Sequence, residues 1–308
     1  MFKSYWKLAW RTLVRNKLYT LVNILGLTLG ICACLVIYLV TSYEFSFDTF
    51  HPDRDRIFCV DARTKMNHLN CVPGPMPAAM RREMTGFQTV AAFQYYTAGV
   101  TVSARGAGKP KSFDDDGSLA IVEPQYFDIF QYRWLSGSPA TSLTLPNSVV
   151  LTAEKVREYF GDLDPDRVIG RILFYQDSLS VRVTGVVADW TGNSDFNFRQ
   201  WISYATIPAG FLNKTITLDT WNSINKSSQV MVKLAKDVRP SQIDAQLTAF
   251  TKRHKSLINA AGLKPLSGIH FHQEYGGAGR KASLPGLYTL IAVAGFILIL
   301  AIVNFVNL

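Results

Sequence analysis

Two stretches of the chain, 18–43 and 282–308, carry no charged side chain. An α-helix rises about 1.5 Å per residue, so roughly 20 apolar residues cross a hydrocarbon core of about 30 Å. Both stretches are long enough, and nothing between them is. The pattern predicts one transmembrane helix over 18–43, a second over 282–308, and a water-soluble fold over 44–281. A secretory signal accounts poorly for the first stretch. Its apolar run exceeds the roughly 7–15 residues of such a segment, and no small-residue cleavage site follows.

Before the first span, Lys3, Lys7, Arg11 and Arg15 recur at every fourth position, and Lys17 closes the series. On a helix over 1–17 that spacing makes one basic stripe, with Phe2, Trp6, Trp10 and Leu13 on other faces. Such a helix suits the cytoplasmic headgroup layer of a lipid bilayer. No acid precedes the span, so the positive-inside rule predicts a cytoplasmic N-terminus and an exported middle region. The chain has 32 Lys and Arg against 23 Asp and Glu, a net charge of +9. Much of that excess is the membrane-proximal stripe, which an anionic leaflet attracts. No basic patch with interleaved aromatics appears, so nucleic acid is not expected as a partner.

The middle region alternates strand and helix patterns. A strand over 56–61, a short helix over 77–84 with proline in its first turn and a strand over 97–103 make a β-α-β unit. A second unit comes late: a strand over 229–234, a helix opening at Pro240-Ser241, and a strand over 267–273. Ser241 and Asp244 fit a capping box, and Ile243, Leu247 and Phe250 recur at helical spacing. Gly106-Ala-Gly-Lys-Pro-Lys111 breaks the chain between the units. The region 107–209 has its own strands near 119–123, 148–152 and 181–189, and a helix over 153–160 stopped by Gly161. The expected fold class is a membrane protein with an α+β domain. Two transmembrane helices flank a split β-α-β lobe (44–106 and 210–281) that carries an inserted lobe (107–209).

Candidate chemistry is sparse. Cys59 and Cys71 flank a predicted strand pair in the exported region, where oxidation is possible. A short disulfide-closed loop and two separate thiols both remain open. Asp114-Asp115-Asp116 reads as a solvated turn. His270 and His272 flank Phe271 in a predicted strand, which puts both on one face, but zinc needs further ligands. Gly276-Gly-Ala-Gly279 is not followed by a helix with Lys-Ser/Thr, so it is no phosphate cradle, and no Walker motif occurs. No nucleophile elbow is present. No catalytic, cofactor-binding or metal residue is assigned, no cofactor is expected, and the chain is not expected to be an enzyme. Within the first span Asn23, Gly26 and Gly30 fall on or near one face, where small residues allow close helix contact.

The segment Tyr5-Trp-Lys-Leu-Ala-Trp-Arg-Thr-Leu-Val-Arg-Asn-Lys17, followed by Asn23-Ile-Leu-Gly-Leu-Thr-Leu-Gly30, resembles the opening of MacB/FtsX-type ABC transporter permeases. Similar too are Phe47-Asp-Thr-Phe-His-Pro52, Asp55-Arg-Ile57, Pro146-Asn-Ser-Val-Val-Leu-Thr152 and Tyr159-Phe-Gly-Asp162. Val183-Thr-Gly-Val186, Ile269-His-Phe-His272 and the closing Asn304-Phe-Val-Asn-Leu308 complete the set. The resemblance implies a periplasmic core of a porter-like and a sabre-like lobe, in the bacterial inner membrane. It implies a cytosolic ABC ATPase partner, further permease spans, a homo- or pseudo-dimer and periplasmic adaptor proteins as associates. The implied role is mechanical: ATP-driven motion of the spans is passed to the periplasmic domain for export or signalling with peptide, antibiotic or lipoprotein cargo. Such permeases have at least four spans, so this chain reads as the N-terminal portion of a longer protein.

One other class shares the layout of span, domain and span: the sensory half of a transmembrane receptor or histidine kinase. Its ligand-binding domain usually opens with a long membrane-proximal helix. Here Pro52 and the strand at 56 arrive too soon for that helix.

Overall fold

The computed structural model of the chain describes residues 11, 14–15, 17–64, 68–69, 71–96, 100–104, 111–115, 117–209, 216–225, 227–254, 257–272 and 280–306. Two compact units emerge, Met1–Ser46 with Ala282–Leu308, and Phe47–Lys281. The helices are α1 (Lys17–Phe45), α2 (Met76–Glu83), α3 (Tyr126–Phe130), α4 (Ala153–Phe160), α5 (Pro165–Val168), α6 (Thr206–Ala209), α7 (Pro240–His254), α8 (Leu266–Ile269) and α9 (Leu284–Val306). The first strands are β1 (Ile57–Arg63), β2 (His68–Leu69), β3 (Phe87–Tyr96), β4 (Val100–Ala104), β5 (Lys111–Asp115), β6 (Leu119–Val122) and β7 (Trp134–Ser136). Then come β8 (Ser148–Thr152), β9 (Ile172–Tyr175), β10 (Leu179–Val187), β11 (Gln200–Ser203), β12 (Ser228–Leu234) and β13 (Ala260–Pro265).

The first unit holds the two apolar helices. α1 with 29 residues and α9 with 23 are strongly apolar, and each is long enough to span a bilayer. Of the basic stripe, Arg11, Arg15 and Lys17 are exposed, while Lys3 and Lys7 lie outside the described residues.

In the second unit the sheet order β13-β1-β12-β3 places β12 between β1 and β3, and β1 between β12 and β13. All three pairings are antiparallel. That is an interleaved pair of split β-α-β units, β1-α2-β3 and β12-α7-β13. The same sheet runs on without a break through β6-β11-β8-β10-β9-β4-β5. The β3–β6 ladder is the seam between the split units and the inserted elements.

Three expectations need correction. The strand that completes the first unit is β3, not 97–103. Val90 of β3 packs into one core, and Ala91 and Phe93 pack into another. A strand buried on both faces loses the alternation that would reveal it. The strand placed at 97–103 begins at Val100 and pairs with β5 and β9, so it belongs to the inserted part; residues 97–99 lie outside the described residues. The final strand is β13, and 266–269 is the helical turn α8, so His270 and His272 are not strand neighbours on one face. The start of α7 also differs. Gln242 Oε1 accepts from Arg239 N–H at 2.9 Å, whereas Asp244 Oδ1 accepts from Leu263 N–H at 2.9 Å and so ties the helix to β13.

Helical spacing explains the packing. Met76, Ala79 and Met80 of α2, with Ile243, Leu247 and Phe250 of α7, cover Phe58, Val60 and Val232 on one face of the sheet. In the inserted part Val156 and Tyr159 of α4 cover Leu151, Val183 and Ile202. α4 keeps its predicted bounds. Thr152 Oγ1 accepts from Lys155 N–H at 3.3 Å, and Gly161 stops the helix at φ 76°, a conformation that favours glycine. A third cluster is aromatic, with Phe93, Tyr126, Phe127, Phe130, Tyr132 and Trp201 joined by Leu266 and Ile269 of α8. Truncating one such buried ring costs about 3–5 kcal/mol.

Candidate functional site

The turn Phe47–Pro52 directly follows α1 in the chain, and Lys281 precedes α9 by three residues. Asp48 adopts φ 55°, a left-handed conformation that Asp tolerates better than most side chains. The loop between β10 and β11 holds this turn. Asp48 N–H donates to Asn193 O at 2.8 Å, Ser194 Oγ donates to Asp48 Oδ1 at 2.5 Å, and Asp195 N–H approaches Asp48 Oδ2 at 3.4 Å. His51 Nε2 lies 3.3 Å from Asp48 Oδ1.

The same loop grips the other connector through Asp195. Its Oδ1 is 3.1 Å from His270 Nδ1, and its Oδ2 is 3.1 Å from Lys281 Nζ. The Phe47 ring stacks on His270 with centroids 3.6 Å apart and planes at 13°. The connectors therefore touch each other as well as the loop. The side chains of Asp195, His270 and Lys281 are 3%, 2% and 9% exposed, so water does little to screen their pairing.

Aromatic rings wall the node. Phe50 and His51 pack against Trp190 with centroids at 4.7 and 4.9 Å, and Trp190 stacks on Tyr132 at 4.2 Å. Gly192 is required here, because a Cβ would stand 2.1 Å from the Phe50 ring. Burial, with the Asp48 charge adding to it, pushes the phenols of Tyr126 and Tyr132 well above their ordinary range, so they stay protonated. A short turn, a loop 146 positions away and a segment 75 positions further on thus meet in one buried polar node. Chemically it is suited to holding segments together.

Of the residues weighed in the sequence for a site, His270 belongs to this node, as a partner of Asp195 and Phe47; the membrane-surface, helix-packing and cysteine candidates do not. Asn23, Gly26 and Gly30 face α9. Asn304 Nδ2 donates to Asn23 O at 3.2 Å, and a Cβ on Gly26 would meet that same amide at 3.4 Å. A Cβ on Gly30 would come within 3.3 Å of Ala301 Cβ and 3.4 Å of Ile297 Cγ2. Cys34 Sγ donates to Ala294 O at 3.3 Å further along. In the soluble unit Cys59 and Cys71 are thiols, both buried, and no disulfide joins them. Burial pushes the Cys59 thiol up to about 12. Several motif residues prove architectural: Gly185, for example, leaves room for the Trp134 ring, which a Cβ would approach to 2.5 Å. The signal for the node was Phe47-Asp-Thr-Phe-His-Pro52 and Ile269-His-Phe-His272, two motifs with no shared spacing to link them.

Residues 20–250 match the family model described as the MacB-like periplasmic core domain. The chain belongs to that family. With its two flanking apolar helices it is a membrane protein with a periplasmic domain, of the ABC transporter permease type. Among solved structures it is similar to a domain described as part of a candidate permease of Porphyromonas gingivalis. That likeness has a TM-score of 0.57 at 19% identity, over 78% of this chain and 99% of that one. The periplasmic region of MacB from Actinobacillus actinomycetemcomitans aligns with a TM-score of 0.49 at 15% identity, over 70% of this chain and 90% of that one. No curated protein matches the sequence.

Proposed function

We propose that this chain is a permease segment of a MacB/FtsX-type ABC transporter that couples ATP hydrolysis by a separate cytosolic ATPase to movement of its periplasmic domain. The carrying observation is the buried node, in which the residue runs after α1 and before α9 are bound to one loop of the inserted part. A domain merely tethered to a membrane needs no such joint. In this reading the N-terminus is cytoplasmic, Lys3, Lys7, Arg11, Arg15 and Lys17 seat the leading helix at the inner leaflet, and Asn23, Gly26 and Gly30 let the spans pack closely. The functional unit includes further spans in a homo- or pseudo-dimer, and the cargo is a peptide, antibiotic or lipoprotein.

The test is to purify the protein in lipid with its ATPase and measure distances between spin labels on the periplasmic domains of the dimer. An ATP-dependent distance change is expected; an unchanged distribution through the ATP cycle contradicts the reading. A cysteine replacing exposed Thr144 is expected to react with a membrane-impermeant maleimide from the periplasmic side, and labelling only after lysis contradicts the orientation.

A further inference from the structure

We infer that the loop from Trp190 to Asp195 is a two-jawed clasp, and that Asp195 is the positioning residue that makes the two membrane connectors move as one. This rests on the permease reading and adds to it the device that carries the motion. One jaw is the Asp48 turn, held by Asn193 O, the Ser194 hydroxyl and the Asp195 backbone N–H. The other jaw is Asp195 itself, whose two carboxylate oxygens face His270 and Lys281. Asp195 belongs to both: its backbone serves the first connector and its side chain the second. The Phe47–His270 stack closes the ring of contacts.

The loop is well placed for the work. It leaves β10, whose parallel partner is β8, and enters β11, whose parallel partner is β6. It is therefore anchored in the middle of the continuous sheet, where a shift of the inserted elements displaces both jaws together. Gly192 keeps the loop against the Phe50 ring, so the first jaw closes sterically as well as through hydrogen bonds. The second closes mainly by charge. Charge and sterics are separable, and that makes the device testable.

The experiment uses the full chain with its ATPase in lipid nanodiscs and compares wild type with Asp195→Asn and Lys281→Gln. Two readouts are taken: ATP turnover, and the ATP-driven change in hydrogen exchange of the Phe47–His51 and Leu266–His272 segments. In wild type both segments are expected to change together. In Asp195→Asn the Leu266–His272 change is expected to fall at least fivefold, with ATP turnover kept within about twofold. Lys281→Gln, which keeps Asp195, is expected to give the same split and serves if Asp195→Asn does not fold. Matched ATP-driven changes in both segments of either variant overturn the clasp. Absence of any change in wild type overturns the permease reading instead, so the two failures are distinguishable.

Discussion

Glu83 and Asp195 hold nearly the same set of partners in two different settings. Glu83 pairs with His254 at 3.0 Å and Arg253 at 2.9 Å, and His254 stacks on Trp221 with centroids 4.1 Å apart. Asp195 pairs with His270 and Lys281, each at 3.1 Å, and His270 stacks on Phe47 at 3.6 Å. In each case a carboxylate faces a histidine and a base, and the histidine lies on an aromatic ring. The Glu83 set joins the ends of α2 and α7, and its Arg253 is 62% exposed. The Asp195 set is buried and joins segments that continue toward α1 and α9. An exposed ion pair contributes little, because solvent competes for both partners. A buried one is costly to break, since removing one member strands a charge away from water. The same chemistry therefore trims a surface in one place and makes a joint in the other.

The largest effect expected from breaking this contrast is at Asp195→Ala. It leaves Lys281 and His270 without their carboxylate and is expected to lower stability by about 3–5 kcal/mol, read by denaturant unfolding of the solubilised protein. Gly192→Ala should come next. Its Cβ must displace the Phe50 ring, at a cost of about 1–3 kcal/mol, with Trp190 fluorescence altered as its neighbour moves. Unchanged fluorescence and stability would show that the loop yields freely. By contrast Glu83→Gln is expected to change stability far less than Asp195→Ala, and a loss as large as that at Asp195 erases the contrast.

The smallest effect is one of pH, at a third carboxylate. Hydrogen bonding from Lys233, then from Arg56, lowers the Asp53 carboxyl from 3.8 to about 2. A carboxyl depressed on folding contributes stability that is present above its unfolded value and lost as pH falls through its folded value. The stability difference between wild type and Asp53→Asn should be level above about pH 5 and should shrink between about pH 4 and 2. A difference that grows on acidification contradicts the assignment.

Patterns held within a single stretch were legible in the sequence. The apolar runs marked both spans, Thr152 and Gly161 bracketed α4, and Ile243, Leu247 and Phe250 drew the buried stripe of α7. Signals failed where burial erased periodicity, as in β3, or where a helical turn replaced a strand, as in α8. The node was invisible for another reason. Asp48, Asp195, His270 and Lys281 lie in three segments with no common spacing, and only the order of strands in the sheet brings them together. Their motifs could be seen singly, but their meeting is a property of topology.

Hydrogen exchange on the full chain in lipid, without nucleotide, tests the shared joint most directly. Asp195→Asn is to be compared with wild type and with Glu83→Gln. The account predicts that Asp195→Asn lowers protection at Leu266–His272, while Phe47–His51, whose jaw uses the Asp195 backbone N–H, and β1 keep theirs and Glu83→Gln leaves both connectors unchanged. Unchanged protection at Leu266–His272, or equal loss in both variants, contradicts it.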